Sequence, residues 1–287
     1  MSNIPLRSRL RDRLEAGVLI QGEEYSFHHR AAGLLLGEVE VVPCVSFPKL
    51  AVALEAAPER LGLMAIENSV AGAILQNYLL LEAHGLHIVG EVYLRISHAV
   101  MTVRGAEVSA IERIESHPMA LAQCRNYFNE RPGVRPVEAY DTAGSALAVA
   151  HAGDPARAAL APVWCAEVYD LEVVEQAVED NPHNWTRFVL VDAHAPGERG
   201  AKTSVAFNVH HRSGALAEVL TRLATSGCQL TKIQSLPQVG KPWEYRFFAD
   251  FLLDDDARRH TVLELLADLT TGLTHLGTYE PGKHHEP

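Results

Sequence analysis

The run LHIVGEVYLRISHAVMTV, Leu86 to Val103, restricts the fold of this chain more than any other. It is too long for one ordinary strand, typically about 5–6 residues, and it lacks the apolar spacing of an amphipathic helix. Such an extended stretch suits a chain leaving one compact lobe for another. The crossing is placed at Glu91 to Ser97 and the return at Asn181 to Arg187. Two crossings leave a cleft between lobes, where small-molecule sites preferentially form.

The flanking segments agree with two lobes of α/β type. VLIQG reads as a strand, followed by a helix through Arg30 to Leu36, the strand EVEVVP, the helix SFPKLAVALEAA and the strand LGLMAI. The rhythm continues through RIES, a helix from Pro118 to about Asn129, another from Thr142 to about Ala150, the strand RAALA and finally RFVLV. Strands alternating with helices predict parallel sheets covered on both faces. The first lobe is taken as 17–93 with 183–193 and the second as 94–182, together a catalytic domain at 17–193. AHAPGERGAKT, rich in Pro, Gly and charge, marks a linker at 194–202. The remainder, 203–281, reads strand, helix, strand, strand, helix, strand, the ferredoxin-like βαββαβ unit. Its open sheet edge offers a route to a dimer. The closing GKHHEP reads as a frayed end.

Composition removes several function classes. With 25 basic against 36 acidic residues, net −11, the chain lacks the clustered positive charge that phosphate backbones need, so no nucleic-acid partner is expected. No run approaches the roughly 18 apolar residues of a membrane helix, and the N-terminus has no apolar secretory core, which predicts a cytoplasmic protein without a membrane partner. Cys44, Cys124, Cys165 and Cys228 are scattered and read as buried thiols. The pairs His28-His29, His210-His211 and His284-His285 lack the i, i+4 spacing of two imidazoles on one helical face, so no metal is expected.

The polar entry to the last strand of the first lobe can carry chemistry. In VEDNPHNWTRFVLVD, Asn184, Thr186 and Arg187 precede a continuous apolar run. A hydroxyl beside a guanidinium can bind a carboxylate and hydrogen-bond a leaving oxygen. The same residues also fit a plain strand start, with a solvated Arg and a Thr chosen for β propensity. Three other segments put polar residues where a strand gives way to a helix, the place where free N–H groups attract anions. They are Asn68 and Ser69 in IENSVAG, Ser116 with Gln123 in SHPMALAQC, and Thr142 after the cap Asp141 in DTAGSA. Each alone reads more often as a helix cap than as a site.

Together with AALAP, Tyr169, Leu171 and NWTRF, these segments follow the order and approximate spacing of prephenate dehydratase, and KTSVAFNVHHRSGALAEVL, QLTKIQSLP and WEYRFFADF resemble the ACT regulatory domain those enzymes carry. The resemblance runs from about Val18 to Tyr279. It implies a two-lobed, periplasmic-binding-protein-like catalytic domain that turns prephenate into phenylpyruvate, water and CO2 without metal or organic cofactor. It further implies phenylalanine as allosteric effector and a homodimer or homotetramer. On this resemblance Thr186 is the residue most tied to catalysis, Arg187 holds a carboxylate or braces the cleft, and Phe188 packs beneath. Asn68, Ser116 and Gln123 match positions that line the substrate site, joined by Ser69, Thr142 and Ser26.

Two departures stand out. In QGEEYSFHHRAA, Tyr25 replaces a family glycine and His28 stands where a second Ser is expected, so His28 either supplies a contact or proton, or fills space. In the ACT region Gly214, Ala215 and Leu216 keep the effector turn, with Leu230 nearby. Gln229 replaces an Asn, however, and Gln234-Ser235-Leu236-Pro237 replaces Glu-Ser-Arg-Pro, which leaves the strength and sign of regulation open. Arogenate dehydratase, performing the same elimination on the aminated substrate, fits these motifs equally. A non-catalytic, amino-acid-sensing binding protein is the rival from another class.

Overall fold

The computed structural model describes residues 6–194, 199–238, 240–241 and 243–286. In chain order its strands are β1 (Val18–Gln21), β2 (Val41–Cys44), β3 (Leu61–Asn68), β4 (Gly72–Ala73), β5 (His87–Arg95), β6 (Ala99–Val103), β7 (Arg113–Ser116) and β8 (Arg135–Glu138). They continue as β9 (Arg157–Ala161), β10 (Leu171–Gln176), β11 (Trp185–Asp192), β12 (Lys202–Val209), β13 (Gln229–Pro237), β14 (Tyr245–Leu252), β15 (Thr270–Tyr279) and β16 (His284–His285). No described helix is long and apolar enough to cross a membrane.

These strands form three sheets, ordered β16-β5-β11-β3-β1-β2 with β4 beside β3, β10-β6-β9-β7-β8, and β13-β14-β12-β15. The chain leaves the first sheet after Arg95 and enters the second at Ala99, and β11 brings it back. In the first sheet β1 runs parallel to β2 and β3, as strand–helix–strand connections require, whereas β11 lies antiparallel between β3 and β5. Part of the expected linker, residues 195–198, lies outside the described residues.

Period-two alternation along β11 sends its side chains to two different cores. Phe188 and Leu190 pack with the helix Phe27–Leu36 and strands β1 and β5. Val189 and Val191 pack on the other face into a cluster that includes Ala206, Phe248, Leu276 and Tyr279 of the C-terminal unit. That unit is therefore covered on both sheet faces, since Val205, Phe207 and Phe251 pack beneath its own helices. The two backbones come close at Gly277, whose φ is +154° and where a Cβ would lie 2.0 Å from the Ile88 carbonyl oxygen.

A buried ionic network pins the two domains together. Arg187 donates from Nε to Glu91 at 2.7 Å, from Nη1 to Asp250 at 2.5 Å and from Nη2 to the Tyr279 hydroxyl at 2.7 Å. Lys202 Nζ donates to both Glu91 oxygens at 2.9 Å, and Ser204 donates to Asp250 at 2.6 Å. Two cations face two carboxylates, and hydroxyls fill the remaining sites, which is the condition for tolerating charge in a core. Burial would raise the Asp250 carboxyl, but Arg187 and Lys202 hold it below its usual value. Its stabilising contribution is therefore complete above about pH 4 and is lost as pH falls through that lower value.

The C-terminal residues differ from the frayed end read in the sequence. His284 and His285 pair in parallel with Tyr93 and Leu94, Gly282 N donates to Glu91 at 2.9 Å, and the His284 ring stacks on Tyr93 at 4.4 Å. Backbone pairing and ring stacking, neither visible in a short polar run, hold the segment.

Candidate active site

Between the lobes lies a cavity of about 310 Å³, lined from the first lobe by Gln21, Ser26, Phe27, His28, Phe47, Asn68, Thr186 and Phe188, and from the second by His98, His117, Gln123, Asp141 and Thr142. Ser26 and Asp141 sit where a helix begins. Ser26 caps the helix Phe27–Leu36, accepting from His29 N, and Asp141 caps Thr142–Ala152, accepting from Gly144 N at 2.8 Å. Each helix thus turns its positive end toward the cavity, a setting that favours anions. Among the described lining residues there is no Lys or Arg and one carboxyl, Asp141.

The polar floor is a relay of amides. Asn68 Oδ1 accepts from Val70 N at 2.9 Å and Ala71 N at 2.8 Å, which fixes the amide's orientation. Its Nδ2 then donates to Asn184 Oδ1 at 2.6 Å and to Thr186 Oγ1 at 2.9 Å. Asn184 donates to Gln123 Oε1 at 2.9 Å, 3.4 Å from His98 Nε2. Because Thr186 Oγ1 accepts from Asn68, the hydroxyl proton is free to be donated into the cavity. A bulge makes this pairing possible. Arg187 opposes Glu67 but Phe188 opposes Ala65, so Ile66 is the extra residue, and beyond it Asn68 falls on the face of Thr186.

Not every residue singled out in the sequence reaches the cavity. Arg187 points to the opposite face of β11, into the network with Glu91 and Asp250, because side chains alternate along a strand. Ser116 is fully buried and its hydroxyl donates to the Leu160 carbonyl at 2.5 Å across to β9. Ser69 sits outside, donating to His183 O and accepting from Trp185 N, both at 2.8 Å. His98, His117, Asp141 and Asn184 belong to the site although sequence reasoning passed over them or read them only as context. For Asp141 and His117 the signal was their position as helix caps.

The titratable groups are set by burial. Burial lowers the His28 imidazole to about 3, with His117 adding a little, and the ring meets Phe188 edge-on at 4.9 Å. A neutral imidazole is a poor acid, so the idea of His28 as proton source is not supported by its surroundings. His98 is also lowered by burial, against the pull of Glu179. Burial raises Asp141, with Glu23 adding to the effect and the Gly144 N–H opposing it. Its carboxylate sits so close to Gly22, φ +92°, that a Cβ there would lie 2.5 Å from Oδ2. Tyr25, at the position of the family glycine, has a left-handed backbone, φ +63°. Its carbonyl accepts from the Trp164 indole at 2.7 Å, a contact between lobes that offsets the strain of roughly 1–2 kcal/mol.

In the C-terminal unit Gly214, Ala215 and Leu216 line a groove of about 770 Å³ with Asn208, His210, Trp243 and Tyr245. Gln229 and Leu230 stand exposed on β13, outside that groove.

Fold and cavity define a two-lobed α/β protein with a cavity between its lobes and an appended βαββαβ unit. Residues 18–196 match the family model described as prephenate dehydratase, and the chain belongs to that family. It is 36% identical over 217 residues to the bifunctional chorismate mutase/prephenate dehydratase of Neisseria gonorrhoeae, covering 75% of this chain but only 60% of that protein's length. Arogenate dehydratases of Petunia hybrida are also among its relatives. The structure of prephenate dehydratase from Arthrobacter aurescens, in complex with L-Phe, superposes with a TM-score of 0.81 at 28% identity, covering 92% of this chain and 90% of that one. A structure described as a quorum-quenching acylase, GqqA, gives 0.79 at 30% identity, covering 93% and 98%.

With its value lowered to about 3, His28 is expected to stay neutral at pH 5, and NMR titration of its ring should show no midpoint above that pH. The sign for stability follows: the unfolded imidazole takes up its proton near pH 6.5, so folding should weaken as pH falls from about 6.5 toward 3.

Proposed function

We propose that this chain is a cytoplasmic prephenate dehydratase, a carbon–oxygen lyase of phenylalanine biosynthesis. Each turnover consumes one prephenate dianion and one proton and releases phenylpyruvate, CO2 and water. The carrying observation is the Thr186 hydroxyl, held by Asn68 with its own proton free for the cavity. That proton hydrogen-bonds the ring hydroxyl of prephenate as it leaves, which a threonine can do as a relay without being the ultimate acid. Helix N-termini at Phe27 and Thr142 receive the retained carboxylate. The ring carboxylate departs as neutral CO2, which the apolar wall of Phe27, Phe47, Ile96 and Phe188 favours over the charged form. Arogenate carries the same reacting ring and fits the same groups. Acyl transfer is the weaker reading, since Thr186 Oγ1 faces an amide donor and no described base accepts from it.

We read the C-terminal unit as an ACT domain whose groove at Gly214, Ala215 and Leu216 takes phenylalanine as allosteric effector. The L-Phe complex of the A. aurescens enzyme supports this. Sheet-edge pairing between copies would give a homodimer or homotetramer.

Purified protein should convert prephenate to phenylpyruvate, and Thr186→Ala should lower kcat roughly 10²- to 10⁴-fold with an unchanged melting midpoint. Undiminished turnover in that variant would remove Thr186 from the mechanism. Comparing kcat/KM on prephenate and arogenate decides between substrates, and turnover of neither, with tight phenylalanine binding, favours a sensor. Light scattering should give a dimer or larger, and a monomer at micromolar concentration would contradict the assembly.

A further inference from the structure

The pairing of β11 with β3 places two couples back to back. Thr186 lies opposite Asn68 on the cavity face, and the next position along sets Arg187 opposite Glu67 on the face toward the C-terminal domain. Glu67 reaches Lys232 Nζ of β13 at 2.7 Å and approaches Arg187 Nη1 at 3.9 Å. Arg187 is bound to Asp250 of β14 and Tyr279 of β15, and Asp250 in turn to Ser204 of β12. All four strands of the C-terminal sheet thus converge on the two residues adjacent in sequence to the cavity couple.

We propose that Arg187 and Glu67 are positioning residues, through which the C-terminal domain sets the placement of Thr186 against Asn68. The inference rests on the reading of Thr186 as catalytic. The link through Arg187 is the stiff one, whereas Glu67 is partly exposed. The guanidinium is planar, always charged and engaged in three directions, so it cannot adjust by losing its proton or by turning away from one partner alone. Separating it from Asp250 would leave buried charges uncompensated. A shift of β14 or β12 is therefore passed to residue 187 as movement of the backbone, and Thr186 is the adjoining residue. From β13, Lys232 reaches Asn68's neighbour Glu67 by one ion pair at 2.7 Å, a second and looser link.

The same strands also reach the groove at the other end of the domain. Asn208 and Val209 of β12 and Tyr245 and Phe247 of β14 line it, whereas Ser204 and Asp250 stand in the network. Asn208 lies four residue steps along the strand from Ser204, about 13 Å of extended backbone. An occupant of the groove that moves β12 against β14 has a direct mechanical path to the cleft.

The test uses the full chain and changes residues that touch neither cavity nor groove. Lys232→Gln and Asp250→Asn are expected to lower kcat about tenfold while KM stays within about twofold, and Lys232→Arg should restore kcat. Hydrogen exchange of residues 66–71 and 184–188 should rise in Asp250→Asn, while that of Arg157–Ala161 in the second lobe stays as in the unaltered chain. A purely structural role would raise exchange throughout or leave kcat alone. Folded variants that keep the kcat and local exchange of the unaltered chain would overturn the proposal, as would a loss that appears in KM. If the unaltered chain turns over neither prephenate nor arogenate, the catalytic reading fails separately, and the exchange measurements still decide whether the C-terminal domain holds the two segments.

Discussion

Strand β11 is where the structure is decided. It runs antiparallel between β3 and β5, in a sheet whose β1, β2 and β3 run parallel, and its two faces serve different domains. One face gives Thr186 and Phe188 to the cavity, and the other gives Arg187, Val189 and Val191 to the contact with the C-terminal unit. The bulge at Ile66 makes the neighbouring strand obey the same division, with Asn68 on one side and Glu67 on the other. A single extra residue in β3 thus joins a hydroxyl to an amide in the cleft and an arginine to a carboxylate behind it.

Among the described residues that line the cleft there is no Lys or Arg. Arginine and lysine are spent on joining the domains, where Arg187 and Lys202 neutralise Glu91 and Asp250. What faces the cavity instead are helix N-termini, amides, hydroxyls, imidazoles lowered by burial and one carboxyl, Asp141. For a dianion that must lose CO2 this division is useful. Dipoles hold a carboxylate without the desolvation of a buried ion pair, and the apolar wall leaves the departing carboxylate no strong partner. Asp141, raised by burial, meets any arriving dianion as a like charge, which favours its neutral form further.

Much of this was legible from the chain alone, and the gaps have physical causes. The α/β class and the βαββαβ order follow from local periodicity, which sequence records directly. Asn68 and Thr186 at strand ends, Thr142 at the start of a helix and Gln123 at the end of the helix Pro118–Ala122 are brought to one cavity, because the segments that follow strands in such sheets meet at the cleft. Of the two readings of Arg187, contact with a ligand carboxylate does not appear and bracing from behind stays open, because which face of a doubly covered strand meets the cavity depends on what packs behind it, here the C-terminal unit. Ser116 gave no sign that a carbonyl of β9 would take its hydroxyl, nor His284 that β5 would take its backbone. The Ile66 bulge is likewise non-local: from alternation alone Asn68 and Ile66 would share a face, and only the pairing with β11 separates them.

The central claim is that Thr186 and Asn68 work as one unit, with the amide aiming the hydroxyl. A double-mutant cycle on kcat for Thr186→Ala and Asn68→Ala tests it most directly, because residues acting together lose their effects non-additively. The account predicts that the double variant is little slower than Thr186→Ala alone. Losses that multiply, as for independent residues, would contradict it.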